Sequence, residues 1–501
     1  MIGKLLVANR GEIAVRVIRA AREMGIRTVA VASEPDRLSM HAKIADETII
    51  IGPGQASESY LNIERILEAA RISGADAIHP GYGFLSERAE FSRACRDAGF
   101  IFVGPSPESM LLLGSKSAAK TIALKEHVPI VPGLFTVDAS IEELERAAAE
   151  IGYPVMLKAS AGGGGRGMRV VRAPSDFRDE WATASDEALR SFGDGAMMVE
   201  KLVDRPRHIE VQLLADSHGN VVCLFERECS LQRRHQKLVE EAPSPYMAEH
   251  PELWDEIKIA AARLARASGY VGAGTVEFML DQSDGKFYFL EVNTRLQVEH
   301  PVTEFITGLD LVKWQLRIAD GLPIEFDQAL SGGDRRAIVG HSIEARIVAE
   351  SPETGFLPST GRIEVWAEPQ APGVRVDTGF SAGSEISGFY DSLIAKVIVH
   401  AETRPEAIEK LRLALLDFHI IGVKTNIGYL LDVIGHSAYG EGRVDTGFLG
   451  REFGEWQVAA PAPELGDLVT FGEGQSIERP AGMAPARRSA WETAQGFRNN
   501  G

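Results

Sequence analysis

The sequence predicts an α/β protein of about three domains, and three observations carry that expectation. Its 501 residues exceed what one hydrophobic core usually organises. Val-, Ala- and Ile-rich runs alternate with helical patterns rich in Arg and Glu, the order expected of strands between helices. Apolar residues at 45% and charged residues at 25% are globular values. The net charge of −18 argues against nucleic-acid or anionic-membrane partners, so an anionic substrate requires basic residues gathered locally. Cys95, Cys223 and Cys229 lack both a disulfide framework and CxxC spacing, which suits buried thiols in a reducing compartment. Asn9-Arg10-Gly11-Glu12 interrupts the first apolar run, and no stretch approaches about 20 apolar residues. A cytoplasmic location is expected.

Taken in order, Lys4 to Ala8 reads as a strand, Ile13, Val17, Ala20, Ala21 and Met24 fall at helical spacing, and Thr28 to Val31 reads as a second strand. This is a βαβ unit without the GxGxxG fingerprint of a dinucleotide site. A further strand enters the Gly-rich turn from His79 to Glu87, where turn and packing roles are expected of both residues. Phe100 to Val103 closes the first region. Lys116 lies in a polar break before an Ala- and Lys-rich helix. Ser140 and Glu143 form a capping box for a helix ending at Gly152.

Val155 to Lys158 is a strand entering Ala159-Ser160-Ala161-Gly162-Gly163-Gly164-Gly165-Arg166-Gly167-Met168. Four consecutive glycines cost conformational entropy, so they indicate a backbone that must approach something closely, and amide groups around a polyphosphate are the natural use. Lys158 adds a cation. Met197 to Val203 is a strand entering a loop suited to an adenine edge. Arg207 to Leu214 alternates strictly, with His208, Glu210 and Gln212 on one face. Glu226 to Glu241 is dense in cations flanked by carboxylates: a solvated surface if taken alone, an anion clamp if beside a phosphate site.

The richest stretch is Glu291 to Pro301. An extended strand there lines one side with Glu291, Asn293, Arg295, Gln297 and Glu299 and the other with Val292, Thr294, Leu296 and Val298. Asp284-Gly285 signals a hairpin that folds Glu277 back to within about a residue of Glu291. Two carboxylates meeting across a hairpin stay ionised if hard Mg²⁺ ions lie between them. Regular structure is expected to end near Glu452, and there is no internal repeat or heptad run.

Five motifs in order, Ala8-Asn9-Arg10-Gly11-Glu12-Ile13-Ala14, His79 to Glu87, Lys158 with its Gly-rich loop, Gln232-Arg233-Arg234-His235-Gln236-Lys237, and Glu291 to Pro301, carry a resemblance over about residues 1–450. The chain resembles the biotin carboxylases of the ATP-grasp superfamily. That resemblance implies an α/β (α+β) architecture: a Rossmann-like N-terminal domain over 1–115, an ATP-grasp domain over 116–330 with a Gly-rich lid near 131–204, and an antiparallel-sheet C-terminal domain over 331–452. A linker or tail over 453–501 follows.

The implied reaction activates bicarbonate with ATP as carboxyphosphate and passes the carboxyl group to biotin on a carrier protein. By matched position, ATP is held by Lys116, Lys158, Met168, Glu200, Lys201, Val203, His208, Gln232, His235 and Met279, with Gly162, Gly163, Gly164 and Gly165 over its phosphates. Glu277, Glu291 and Asn293 match ligands of Mg²⁺ or Mn²⁺, with two ions expected. Lys237, Arg295, Gln297, Val298 and Glu299 match the bicarbonate pocket, with Glu299 as base. Arg346 and Arg295 match the groups that stabilise the biotin enolate. Glu344-Ala345-Arg346-Ile347-Val348-Ala349-Glu350-Ser351 keeps the family's Arg but has Val348 and Ser351 where Asn and Asp are usual, which alters the biotin edge. Arg19, Glu23 and Arg375 match homodimer positions. No Met-Lys-Met biotin-attachment motif is present, so carrier and carboxyltransferase are expected on other chains, and the final acceptor stays open. The alternatives are another ATP-grasp carboxylate ligase and a non-catalytic nucleotide-binding subunit.

Overall fold

The structure is a computed structural model describing residues 1–136, 139–160, 167–234 and 236–457, with the side chains of 116, 191 and 192 outside the description. The first sheet is parallel and five-stranded: β1 (Lys4–Val7), β2 (Arg27–Ser33), β3 (Glu47–Gly52), β4 (Ala77–His79) and β5 (Ile101–Phe102), ordered β3-β2-β1-β4-β5. Every residue of β1 is buried, as a parallel strand covered on both faces requires. Helix α1 (Gly11–Glu23) joins β1 to β2 and completes the expected βαβ unit.

His79 ends β4 in a turn role, as expected. Its Nδ1 accepts from the Gly81 amide at 3.0 Å and its Nε2 faces the Gln315 side-chain oxygen at 3.3 Å, which fixes a neutral ring.

A second, antiparallel sheet contains β6 (Gly133–Leu134), β7 (Val155–Ala159), β8 (Met168–Val171) and β9 (Met197–Lys201), ordered β6-β9-β7-β8. Helices α2 (Ile141–Ile151) and α3 (Phe177–Phe192) cover one face, with Leu144, Ala148, Ala184 and Ala188 against Val155, Leu157 and Val199. Alternation along β7 then leaves Lys158 on the face away from this core. The Ser140 capping box forms as expected: Ser140 Oγ accepts from the Glu143 amide, and the Glu143 carboxylate accepts from the Ser140 amide at 2.8 Å.

The largest sheet has eight antiparallel strands: β10 (Arg207–Ala215), β11 (Val221–Arg233), β12 (Gln236–Ala242), β13 (Gly272–Leu280), β14 (Phe287–Asn293), β15 (His341–Val348), β16 (Val374–Thr378) and β17 (Leu393–Ala401). Their order is β14-β13-β10-β11-β12-β15-β17-β16, so the β12–β15 ladder carries one continuous sheet from residue 207 to residue 401. Two apolar cores pack along it, one gathering Ile209, Val211, Phe225 and Phe278, the other Val239, Ile343, Ala345 and Val397.

Two expectations need correction. The strand from Glu291 stops at Asn293, and residues 294–299 form a turn leading into α4 (His300–Thr307). Arg295 curls this segment by donating to the Leu296 carbonyl at 3.2 Å and to Gln297 at 2.8 Å, and Pro301 in the first helical turn favours a helix start. The charged run from Glu226 to Glu241 is mostly buried, with Arg234 and Gln236 the exposed residues among those described. It makes the β11–β12 hairpin, in which Glu226, Arg227, Glu228, Glu240 and Glu241 are buried. They are tolerated because each meets a partner remote in sequence: Arg335 for Glu226, Arg207 for Glu228, Arg346 for Glu240, and Arg404 and His341 for Glu241. The three cysteines are buried and unpaired. Among the described residues no helix is long and apolar enough to cross a membrane.

Arg227 is the hub of the sheet's polar interior. It is fully buried and donates to Glu210 at 2.5 Å, Gln212 at 2.7 Å, Thr303 at 2.9 Å and Thr275 at 3.1 Å. Arg227→Ala strands a buried carboxylate, and chemical denaturation should show a loss of about 3–5 kcal/mol. A loss below about 1 kcal/mol would mean the hub is dispensable.

Burial also pushes His41 and His79 down to about 4 from 6.5. The unfolded chain therefore binds more protons than the folded one in that window. Stability contributed by keeping both rings neutral is present above about 6.5 and lost as pH falls toward about 4, which denaturation midpoints at pH 7 and pH 5 would reveal.

Candidate active site

One face of the large sheet gathers the charged groups. Alternation places His208, Glu210 and Gln212 together on β10. Glu210 lies directly opposite Glu277 of β13, and Glu277 lies directly opposite Glu291 of β14, the register expected from the Asp284-Gly285 turn. The Lys237 ammonium donates to Glu210 at 2.6 Å, Glu299 at 2.7 Å and Glu277 at 2.9 Å. Glu277 also accepts from Asn293 at 2.8 Å and Gln297 at 3.2 Å and stands 3.1 Å from His208 Nε2. Arg295 donates to Asn293 at 3.1 Å and lies 3.1 Å from Glu87, so Glu87 reaches the site and is no mere turn residue. The Val298 carbonyl accepts from Lys396 at 2.7 Å, pinning the turn that presents Glu299.

These contacts set the charge states. Burial works against the ammonium of Lys237, and Glu210, Glu277 and Glu299 outweigh it, holding its pKa well above the usual range. Burial likewise opposes the Glu299 carboxylate, but Lys237, Arg346 and Arg227 hold it well below the usual carboxylate range. Glu277 is held low against burial by Lys237 and His208. The site thus rests as closely paired ions.

Arg346, on β15, spans two carboxylates, donating through Nε to Glu240 at 2.5 Å and through Nη2 to Glu299 at 2.9 Å. Burial followed by the influence of Arg346 and Glu299 leaves Glu240 pushed up to about 7. Sequence reasoning missed Asn426. It accepts from the Val348 amide at 2.9 Å and donates to the Arg346 carbonyl at 2.9 Å, so the strand carrying Arg346 is clamped without help from the side chain of Val348. No motif announces Asn426; only the fold brings it there.

The residues matched to ATP are spread over the large sheet and the four-stranded sheet. Lys158 pairs with Glu200 on the neighbouring strand, and Lys120, which sequence reasoning did not single out, stands 3.9 Å from the same carboxylate. Met168 lies opposite Lys158, and Lys201 is 3.6 Å from Asp281. Val203 packs with Val131 and Tyr288, and Met279 closes on them, making an apolar patch of the kind a base plane stacks on. Gln232 lies opposite Lys237. The Lys116 side chain, Gly162 to Gly165 and His235 lie outside the described residues. Arg16, Arg19, Glu23 and Arg375 line a separate surface cleft of about 270 Å³. Arg375 there is a strand residue tied to Asp377 at 2.6 Å and Glu304 at 2.7 Å.

Two carboxylates and an amide, Glu277, Glu291 and Asn293, on adjacent strands form a hard-oxygen donor set that suits Mg²⁺. The description "Biotin carboxylase, N-terminal domain" matches residues 1–110, "Carbamoyl-phosphate synthase L chain, ATP binding domain" matches 115–326, and "Biotin carboxylase C-terminal domain" matches 344–451. The biotin carboxylase of Halalkalibacterium halodurans is 51% identical over 449 residues, covering 90% of this chain and 97% of that protein. The chain belongs to the biotin carboxylase family.

The mitochondrial methylcrotonoyl-CoA carboxylase alpha subunit of Dictyostelium discoideum is 46% identical over 503 residues, covering all of this chain. The chain spans 60–71% of the length of the methylcrotonoyl-CoA carboxylase alpha subunits it matches. Among solved structures, the biotin carboxylase domain dimer of Hydrogenobacter thermophilus 2-oxoglutarate carboxylase, with MgADP, ADP and bicarbonate, aligns with TM-score 0.83 and 46% identity over 92% of this chain and 100% of that one.

Asn426→Ala unpairs the buried Val348 amide and loosens the Arg346 strand. It should cost about 2 kcal/mol in denaturation. It should also weaken biotin-stimulated turnover while sparing the KM for ATP; unchanged stability would show the clamp to be idle.

Proposed function

We propose that this chain catalyses ATP-dependent carboxylation of carrier-linked biotin by bicarbonate, the first half-reaction of a biotin-dependent carboxylase. The observation carrying this reading is the Lys237 ammonium shared among Glu210, Glu277 and Glu299, with Arg346 on the far oxygen of Glu299. A buried carboxylate flanked by two cations suits a small anion that must be held and deprotonated.

In this reading Glu299 accepts the proton of bicarbonate while Lys237, Arg295 and Gln297 orient the anion, and the Val298 backbone completes the pocket. Glu277, Glu291 and Asn293 would hold Mg²⁺ or Mn²⁺, which when bound neutralises phosphate charge. Lys158, Glu200, Lys201, His208 and Gln232 face the nucleotide, Met168, Val203 and Met279 supply apolar contact, and Lys116, His235 and the Gly162–Gly165 loop belong to the same set. Arg346, with Arg295, steadies the negative charge that grows on the biotin ureido oxygen.

The proposed domain division is 1–115, 116–330 and 331–452, followed by a tail. Biotin on a carrier domain or protein and a carboxyltransferase complete the cycle. The charged cleft with Arg19, Glu23 and Arg375 suits the homodimer interface, and three buried thiols suit the cytoplasm.

ATP hydrolysis should depend on bicarbonate and rise with free biotin. Glu299→Gln, which keeps the shape of the side chain and removes the base, should lower that hydrolysis by about 10²-fold or more while leaving the KM for ATP within about threefold. Hydrolysis indifferent to bicarbonate would redirect the reading to another carboxylate substrate.

A further inference from the structure

Behind Arg346 lies a pair of carboxylates that the reaction outlined above does not use. Glu240 of β12 and Glu344 of β15 are directly opposite in the antiparallel ladder, so their side chains leave the same face about 5 Å apart. Both are completely shielded from solvent. Glu240 Oε1 accepts from Arg346, but Glu240 Oε2 and both oxygens of Glu344 have no hydrogen-bond partner among the described residues. Among the described residues, no cation lies within ion-pair distance of Glu344. Lys396, the nearest cation by charge influence, is taken up by Glu12 at 3.5 Å, Asp377 at 3.7 Å and the Val298 carbonyl.

Two buried carboxylates opposite each other, with only Glu240 paired to a cation, cannot both stay ionised in such a setting. A proton on Glu344 removes one charge and supplies an O–H donor, and the unpartnered Glu240 Oε2 is the acceptor that lacks one. One proton gives a partner to Glu240 Oε2 and to one oxygen of Glu344.

We propose that Glu240 and Glu344 share a single proton, Glu344 donating it to Glu240, and that Glu240, anchored in this way, is a positioning residue that turns Arg346 toward biotin. This rests on the biotin-facing role of Arg346 given under the proposed function. Glu240 holds Nε, and Nη2 reaches Glu299. Without that anchor the guanidinium collapses onto Glu299, its only other carboxylate partner among the described residues.

The charged groups facing the pair are Arg346 of β15, Lys237 of β12, Lys396 of β17 and Glu299 ahead of α4. All four keep their charge near neutral pH. Tyr82, Tyr439 and Cys229, the remaining titratable neighbours, are pushed upward by burial and stay neutral. Glu240, at about 7, is therefore the group that changes charge near neutrality.

Infrared difference spectra of the full-length protein at pH 8 test the shared proton without any activity. A buried protonated carboxyl band that shifts in D₂O and is lost in Glu344→Gln is the expected result. Absence of the band from the wild type, or its persistence in the variant, overturns the assignment.

Steady-state kinetics with free biotin test the positioning role. The wild-type KM for biotin should rise as pH falls through about 7, where Glu240 gains its own proton and releases Arg346. In Glu240→Gln that KM should be about tenfold higher and flat with pH, with the KM for ATP unchanged. A KM for biotin within about twofold of wild type, with the acid limb retained, overturns the positioning role. Bicarbonate-dependent hydrolysis in the same assays keeps the two readings apart: its absence from the wild type defeats the proposed function, while the infrared result still decides the fate of the pair.

Discussion

Three carboxylates within 2.9 Å of one ammonium group form the constraint on which the rest of the site depends. Glu210, Glu277 and Glu299 arrive from β10, β13 and the turn before α4, and they can be buried together because Lys237 meets all three while Arg227 and Arg346 balance the excess charge. The strands must therefore hold their register. A slip of one residue on β10 would turn Glu210 into the apolar core and Ile209 into the cluster. The continuous ladder from β14 to β16 is what prevents such a slip.

That balance also bears on chemistry. A carboxylate compensated by two cations is a weak base, and Lys237 and Arg346 compensate Glu299 in this way. Its basicity rises only when Lys237 and Arg346 turn part of their charge to an incoming anion. The same pairing that lets the site fold would, under the proposed function, keep Glu299 quiet as a base until substrate charge arrives.

Much of this was legible in the sequence wherever the information is local. Alternation exposed the polar face of β10, Asp284-Gly285 fixed the register of Glu277 against Glu291, and Ser140 with Glu143 marked a helix start, because each signal spans only a few residues. Burial of Glu226 to Glu241 was not legible. Charge density along a chain says nothing of partners as distant as Arg404, 163 residues away, so a buried ion-paired hairpin and a solvated one read alike. The end of β14 at Asn293 was hidden for a related reason: the alternating pattern continues to Glu299, while side-chain bonds of Arg295 and the following Pro301 bend the backbone away. Asn426 carries no pattern at all.

The helix that starts beside Glu299 shows how the site is held from below. Glu304, on the second turn of α4, accepts from Arg16 of α1 at 2.7 Å and from Arg375 of β16 at 2.7 Å. Those two cations line the surface cleft, so α4 is tied at one end to the edge of the large sheet and to the parallel domain, and at the other to Lys237 and Arg346 through Glu299. A helix of eight residues is too short to be stable alone, and its position is set by these anchors more than by its own propensity. The placement of Glu299 therefore depends on two sets of ion pairs, one inside the site and one through the buried Glu304.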